Sequence, residues 1–281
     1  MDAHSLKVIK YLSLPLMLLL AIEAYWGAFV SETYQHETLS LASQSQLQDK
    51  LNLFVLLPLL TLSLWQMHRQ KGLWMLVFGG TIFYSLYQAF LYAFGLHFNG
   101  LFIVYCLHLG LTFYLFVYFI RKAARLEIGF LFREDAPLKW IGGLLILAAI
   151  FFYTIWLREL IPALRNAAIP SSVAENNLLV NPRHVLDIAI VLPSMLVAGI
   201  LLMRRHGMGY LISAVFLIYL CLQSGLMVAT EQASMLGYFA GGLVLLSGFG
   251  FWRLVGRSLG SDSQNILSTP DQSVGAKPSK P

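Results

Sequence analysis

Six polar residues sit inside otherwise apolar stretches of this sequence: Glu23, Asn52, Gln88, His108, Asp187 and Gln223. Their chemistry is limited but specific. A carboxylate beside an imidazole can pass a proton or hold a cation, and side-chain amides can orient a polar solute. An ionisable group at the centre of a membrane span costs roughly 3 kcal/mol on insertion scales, so such groups face the protein interior. Spacing gives their depth. About a turn centred near Lys71, Asn52 lies 19 residues before and Gln88 17 after. About a second turn near Phe98, Gln88 lies 10 before and His108 10 after. Asn52, Gln88 and His108 are therefore expected at one level. Glu23, about 7 residues inside its helix end, lies ~10 Å deep. Tyr84, Tyr87 and Tyr105 fall within about a turn of the same level. The six residues are the candidate substrate or proton site.

Plainer roles compete with this one. Asn52 and Asp187 can sit near the interface in reach of water, where an acid close to a helix N-terminus is favoured by the dipole. Gln88 and Gln223 can be interhelical hydrogen-bonding residues, and His108 a satisfied packing histidine. None of the seven histidines belongs to an HxxxH or HExxH pattern, and neither a GxSxG elbow nor a Walker loop is present. No catalytic residue, metal site or cofactor is expected. A loose metal site at His36, His97 and His184 is a weaker reading than surface histidine. Cys106 and Cys221 fall in apolar spans and read as small core residues.

The elements that must carry these residues are membrane helices. The chain has 281 residues, 58% hydrophobic and only 12% charged, about half the charge of a soluble domain. Its apolar runs reach the ~20 residues needed to cross ~30 Å of hydrocarbon. The spacing predicts spans at about 8–30, 51–67, 73–95, 101–120, 140–157, 184–203, 210–230 and 235–255. The first is too long for a signal peptide and lacks a cleavage site. Ser31–Lys50 reads as a polar connection, Arg121–Lys139 as a charged loop, and Arg158–Asn181 as a longer loop with Pro162 and Pro170. Asn181-Pro182 has the pattern of an N-cap with proline in the first turn. Pro58 and Pro193 are expected to kink their helices and free a backbone carbonyl. Gly237 and Gly241 form a GxxxG suited to close packing, and Trp26, Trp65, Trp74, Trp140 and Trp156 an interfacial belt. The Ser, Gln, Pro and Lys-rich tail 258–281 reads as disordered.

If the N-terminus is cytoplasmic, fifteen of the nineteen Lys and Arg residues fall on the cytoplasmic side, leaving Lys50, Arg158, Arg165 and Arg183 outside. Both termini are therefore expected inside. A shift of 135 residues lays LNLFVLLPLL (Leu51–Leu60) over LDIAIVLPSM (Leu186–Met195). The same register pairs Pro58 with Pro193, Arg69 with Arg204, Gly72 with Gly207, Tyr84 with Tyr219, Gln88 with Gln223 and Asn52 with Asp187. The expected fold is all-α, a polytopic membrane protein of eight transmembrane helices arranged as two parallel four-helix repeats, residues 1–125 and 126–257. The repeat brings Asp187 and Gln223 to the level of the other polar residues. The halves are unequal there, since His108 aligns with Leu243 and Glu23 has no acidic counterpart.

FNGLFIVY (Phe98–Tyr105) and LDIAIVLPSMLVAGILLMRRHGMGY (Leu186–Tyr210) resemble segments of a family of bacterial multispanning proteins with no assigned activity. The resemblance implies a bacterial inner membrane and no particular reaction. Three functions remain. The first is transport or permeation of a small polar solute or proton through the polar layer. The second is a non-catalytic scaffold or accessory subunit. The third and least supported is an enzyme acting on a lipid-like substrate. Expected partners are the lipid bilayer and another membrane protein or a second copy. The net charge of +5 is explained by cytoplasmic loops rather than nucleic acid.

Overall fold

Side chains in hydrocarbon leave a backbone no partner but itself, so a chain this apolar folds into helices. The structure is a computed structural model that describes residues 3–69, 72–126, 131–230 and 234–255. Among these residues there is no strand, and eight helical segments are long and apolar enough to cross a membrane. The architecture is compatible with an integral, multi-pass membrane protein in contact with lipid. The 258–281 tail lies outside the described residues.

The first span is α1 (Ala3–Phe29). The second joins α2 (Leu39–Leu51), a π-helical turn (Asn52–Leu56) and α3 (Leu57–His68). The third, fourth and fifth are α4 (Gly72–Gly95), α5 (Phe102–Ala123) and α6 (Leu138–Arg165). After the short α7 (Ser171–Ala174), the sixth joins α8 (Pro182–Leu186), a second π-helical turn (Asp187–Val191) and α9 (Leu192–Met203). The seventh and eighth are α10 (Gly207–Thr230) and α11 (Met235–Val255). The third and seventh occupy the centre: 72% and 61% of their apolar windows are buried, against 28% in the first, fourth, fifth and eighth. They pack on each other. The second and fourth spans pack on the third, with the first closing against the second and fourth; the sixth and eighth pack on the seventh, with the fifth against the sixth. One face carries the connections 30–38, 96–101 and 166–181 and is the long-loop face. The other carries the tight turns near Arg69 and Arg204 together with the connection from α5 to α6, and is the short-turn face.

The second span departs most from the sequence expectation. It begins at Leu39, so most of the stretch read as a polar connection is helix. Thr38 caps it, accepting from the Leu41 amide at 3.3 Å. The reason is a polar stripe. Ser45, Gln48, Asp49 and Asn52 recur at helical spacing and are all buried, facing protein rather than lipid. The fifth span likewise runs through Pro162 to Arg165. At the sixth, Asn181 caps Arg183 N at 3.0 Å with Pro182 in the first turn.

The prolines act through the two π turns. In each turn an amide reaches back five residues, Leu57 to Asn52 O and Leu192 to Asp187 O. Pro193 would supply the next such donor, to Ile188 O, but has no N–H. The Tyr153 hydroxyl from the fifth span donates to that carbonyl instead, at 3.1 Å. The freed carbonyl thus meets a side chain rather than a cavity. A close helix crossing is found between the fifth and sixth spans. Gly241 has ordinary room for a side chain, whereas Gly142 and Gly199 face each other so tightly that a methyl on either would lie 2.7 Å from the other's carbonyl oxygen. Trp26, Trp65 and Trp140 are exposed as a belt requires, while Trp156 turns inward.

Candidate functional site

Glu23 on the first span and His108 on the fourth are both fully enclosed, with Glu23 Oε1 2.7 Å from His108 Nδ1. The approach is close but oblique, and neither Glu23 oxygen accepts a well-directed hydrogen bond. The other ring nitrogen of His108 lies 2.9 Å from Ser85 Oγ on the third span. A carboxylate, an imidazole and a hydroxyl therefore stand in line inside the first group of helices. Neither Ser85 nor His108 lines any of the cavities described below.

Beside it lies a second acid. Asp49 is completely buried and accepts hydrogen bonds from the Tyr34 hydroxyl and, at 2.8 Å, from the Tyr92 hydroxyl. Gly27, one turn beyond Glu23, makes this possible: a β-carbon there would overlap the Asp49 carboxylate and crowd the Tyr34 hydroxyl. Tyr34 precedes the second span, and burial holds its hydroxyl well above the usual range, so it stays a donor.

The amides form a chain across the centre. Gln48 Nε2 donates to Asn52 Oδ1 at 2.7 Å and lies 3.1 Å from the Tyr84 hydroxyl. Gln88 Nε2 donates to Gln223 Oε1 at 3.4 Å, joining the third and seventh spans. Asn52 is 0% and Asp187 6% exposed, so neither is solvated at an interface. Asp187 stands apart from Glu23 and His108. Its Oδ2 accepts from Trp156 Nε1 at 3.0 Å, and its Oδ1 has no hydrogen-bond partner. The six expected residues thus occupy three places: Glu23 with His108; Asn52, Gln88 and Gln223 along the amide chain; and Asp187 near Gln223.

A cavity of about 360 Å³ opens between the two helix groups toward the long-loop face. Gln48, Gln88 and Gln223 lie at its deep end, with Tyr92, Trp156 and Arg183 in its walls. Arg183 makes no ion pair among the described residues. A smaller cavity of about 40 Å³ continues past Gln223 to Tyr87 and Asp187. Beneath the amides, Tyr84, Tyr87, Phe83 and Tyr219 close the centre, with ring centroids 5.1–6.4 Å from that of Tyr219.

Sequence reasoning missed Asp49, Gln48, Tyr92, Ser85 and Arg183. The stripe at 45, 48, 49 and 52 was the available signal for the first two; Arg183 follows from its position one turn before Asp187. Of the histidines at the long-loop face, His97 pairs with Glu37, and His184 packs against Trp156 with ring centroids 4.7 Å apart and lies 3.5 Å from Glu159. Among the described residues no three His, Cys, Asp or Glu side chains converge on a metal position. Comparison with known proteins finds no matching family model, no matching curated protein and no matching solved structure, so the site is read from its geometry alone.

Proposed function

We propose that this chain is a transport protein of the bacterial inner membrane, taking a small polar solute into a cleft between two parallel four-helix halves. The observation that carries this reading is the 360 Å³ cleft whose deep end is the Gln88–Gln223 pair. These glutamines are 135 residues apart, the same offset as the two π turns at Asn52 and Asp187 and the stacked Tyr84 and Tyr219. Equivalent residues that meet each other lie on an axis relating the halves. In parallel-repeat transporters the site lies at that interface. The long-loop face is the outer one, because Arg69, Arg121, Lys122, Arg125, Arg204, Arg205 and Arg253 collect at the opposite ends of the spans. Both termini are then cytoplasmic. Arg183, with no ion pair among the described residues, suits a solute carrying an anionic oxygen, with the amides fixing its orientation.

Single-cysteine labelling tests this without knowing the solute. With Cys106 and Cys221 replaced by Ser, Gln223→Cys is exposed to a membrane-impermeant maleimide in right-side-out and in inverted vesicles. A transporter whose halves rock will be labelled from outside and, more slowly, from inside. Labelling from the outer side alone leaves a blind cleft and defeats the transport reading.

A further inference from the structure

Tyr92 belongs to two places at once. It lines the cleft, and its hydroxyl donates to the enclosed Asp49. We propose that Asp49 is a proton-binding carboxylate, loaded from the cleft through the Tyr92 hydroxyl, with the Glu23–His108 pair as its charge-balanced neighbour.

Charge decides the state of a carboxyl as enclosed as Asp49. The groups facing Asp49 come from the helices around it: Glu23 from the first span, with His108 of the fourth behind it, Tyr34 from the turn that follows the first span, Tyr92 from the third span, and Tyr105 from the fourth. On its own helix Gln48 and Asn52 share its buried face and are neutral, while Lys50, the next residue, is exposed and makes no ion pair with it. The cluster holds two carboxyl groups and one imidazole, and that imidazole is 2.7 Å from Glu23. Glu23 and His108 together are neutral whichever of them holds their proton. Asp49 has hydroxyl donors but no ion pair among the described residues, and a lone carboxylate in a low-dielectric interior is the costliest state open to it. It therefore binds a proton.

The route follows from the geometry. Tyr92 passes its hydroxyl proton to Asp49 Oδ1 over 2.8 Å and takes one from a hydronium ion in the cleft. The balance is carboxylate plus hydronium giving carboxylic acid plus water, with Tyr92 unchanged. Since Tyr92 and Gln48 both line the cleft, a solute seated there touches the residue that gates the proton and a residue adjacent to Asp49. This would couple solute and proton, the class of solute–proton cotransport or exchange. The inference rests on the cleft reading only for access to water; the proton site itself does not require transport.

Infrared difference spectroscopy of the full chain in liposomes tests it through the carbonyl-stretch band of a protonated carboxylic acid. The wild type should show this band at neutral pH. Asp49→Asn should remove it, Glu23→Gln should keep it, and Asp49→Glu should move it without removing it, which covers the case in which the Asn variant fails to fold. In Tyr92→Phe the band should remain, with its shift in D2O slowed about tenfold or more. A band untouched by both Asp49 variants, or one lost with Glu23, overturns the assignment to Asp49. Exchange at the wild-type rate in Tyr92→Phe overturns the route. One-sided labelling at position 223 would defeat transport and leave these spectra as they are, so the two failures are distinct.

Discussion

Glu23 and His108 are each tolerable only because the other is present. Their 2.7 Å approach gives each a polar partner in a place closed to solvent. Removing one partner of an enclosed pair strands the other, at a cost of about 3–5 kcal/mol, whereas replacing both with apolar residues of similar size is far milder. Glu23→Leu or His108→Leu should therefore lower the thermal midpoint of the detergent-solubilised protein sharply. The double variant should recover most of the loss; a double variant no better than the worse single would show that the two do not depend on each other. Gly27 supplies a second residue-scale test with opposed terms. Alanine in a helix interior gains about 1 kcal/mol over glycine, but here its methyl would occupy the space of the Asp49 carboxylate. Gly27→Ala should destabilise, while Gly248→Ala on the eighth span, where nothing lies within 4 Å, should not. Equal midpoints for the two would mean that Asp49 can withdraw freely. Asp49 itself shows where reading single residues fails. Hydropathy places it in a polar connection, and only the neighbours that share its helical face, Ser45, Gln48 and Asn52, reveal that it points into protein.

At the scale of elements, the sequence shows length and polarity well and polar helices poorly. All eight spans are visible as apolar runs, because each must cross the same hydrocarbon thickness. The α2 segment was hidden because its buried face is its polar one, the reverse of what average hydropathy detects. The π turns were hidden too, since a proline announces a lost hydrogen bond but not how the backbone absorbs it. Each π turn adds a residue to its helix and sets the angular position of everything before it. Deleting Phe54, which is exposed, should return the second span to regular α-helix and rotate the 45–52 stripe by about 100°. That variant should lose stability as severely as a core mutant, although the deleted side chain contacts lipid; wild-type stability would show that the stripe has no fixed register. The loops add a pH-dependent tie. His97 Nδ1 lies 2.8 Å from the enclosed Glu37 carboxylate, and this hydrogen bond raises the imidazole above its usual value against a smaller opposing effect of burial. The sign follows directly. With the folded value above the unfolded ~6.5, the stabilisation is complete below ~6.5 and is lost as pH rises through the raised value. The His97 amide still donates to Glu37 at 2.7 Å throughout. The thermal midpoint difference between wild type and His97→Gln should accordingly be larger at about pH 5.5 than at about pH 9, and a difference independent of pH would remove the imidazolium from the account.

For the whole molecule, the question is what holds the two groups of helices together. Three contacts repeat down the central pair: Gly80 against Val215 and Ile218, Tyr84 against Tyr219, and Gln88 against Gln223. They are spaced by four residues, one face of each helix. Nearer the long-loop face Gly95 packs on Pro182, and Thr38 donates to Asn176 at 3.1 Å. The offset of 135 residues also relates Gln48 to Arg183 and Asp49 to His184. Both members of the first pair line the cleft, while the second puts an acid in one half and an imidazole in the other. The proposed repeat thus has its charges distributed unequally, and the acid lies on the side assigned the proton. If the halves are true units, they should assemble from separate chains. Residues 1–126 and 131–281, co-expressed with a tag on the first alone, should co-purify in mild detergent. Gly80 is the narrowest point of their junction, where even a β-carbon would overlap Ile218. Gly80→Leu should therefore reduce recovery of the second chain by about tenfold, roughly 1.4 kcal/mol of association, while Gly110→Leu on the fourth span, where nothing lies within 4 Å, should leave it unchanged. Undiminished recovery with Gly80→Leu would mean that the halves are joined elsewhere, and the axis through Gln88 and Gln223 would no longer be where they pivot.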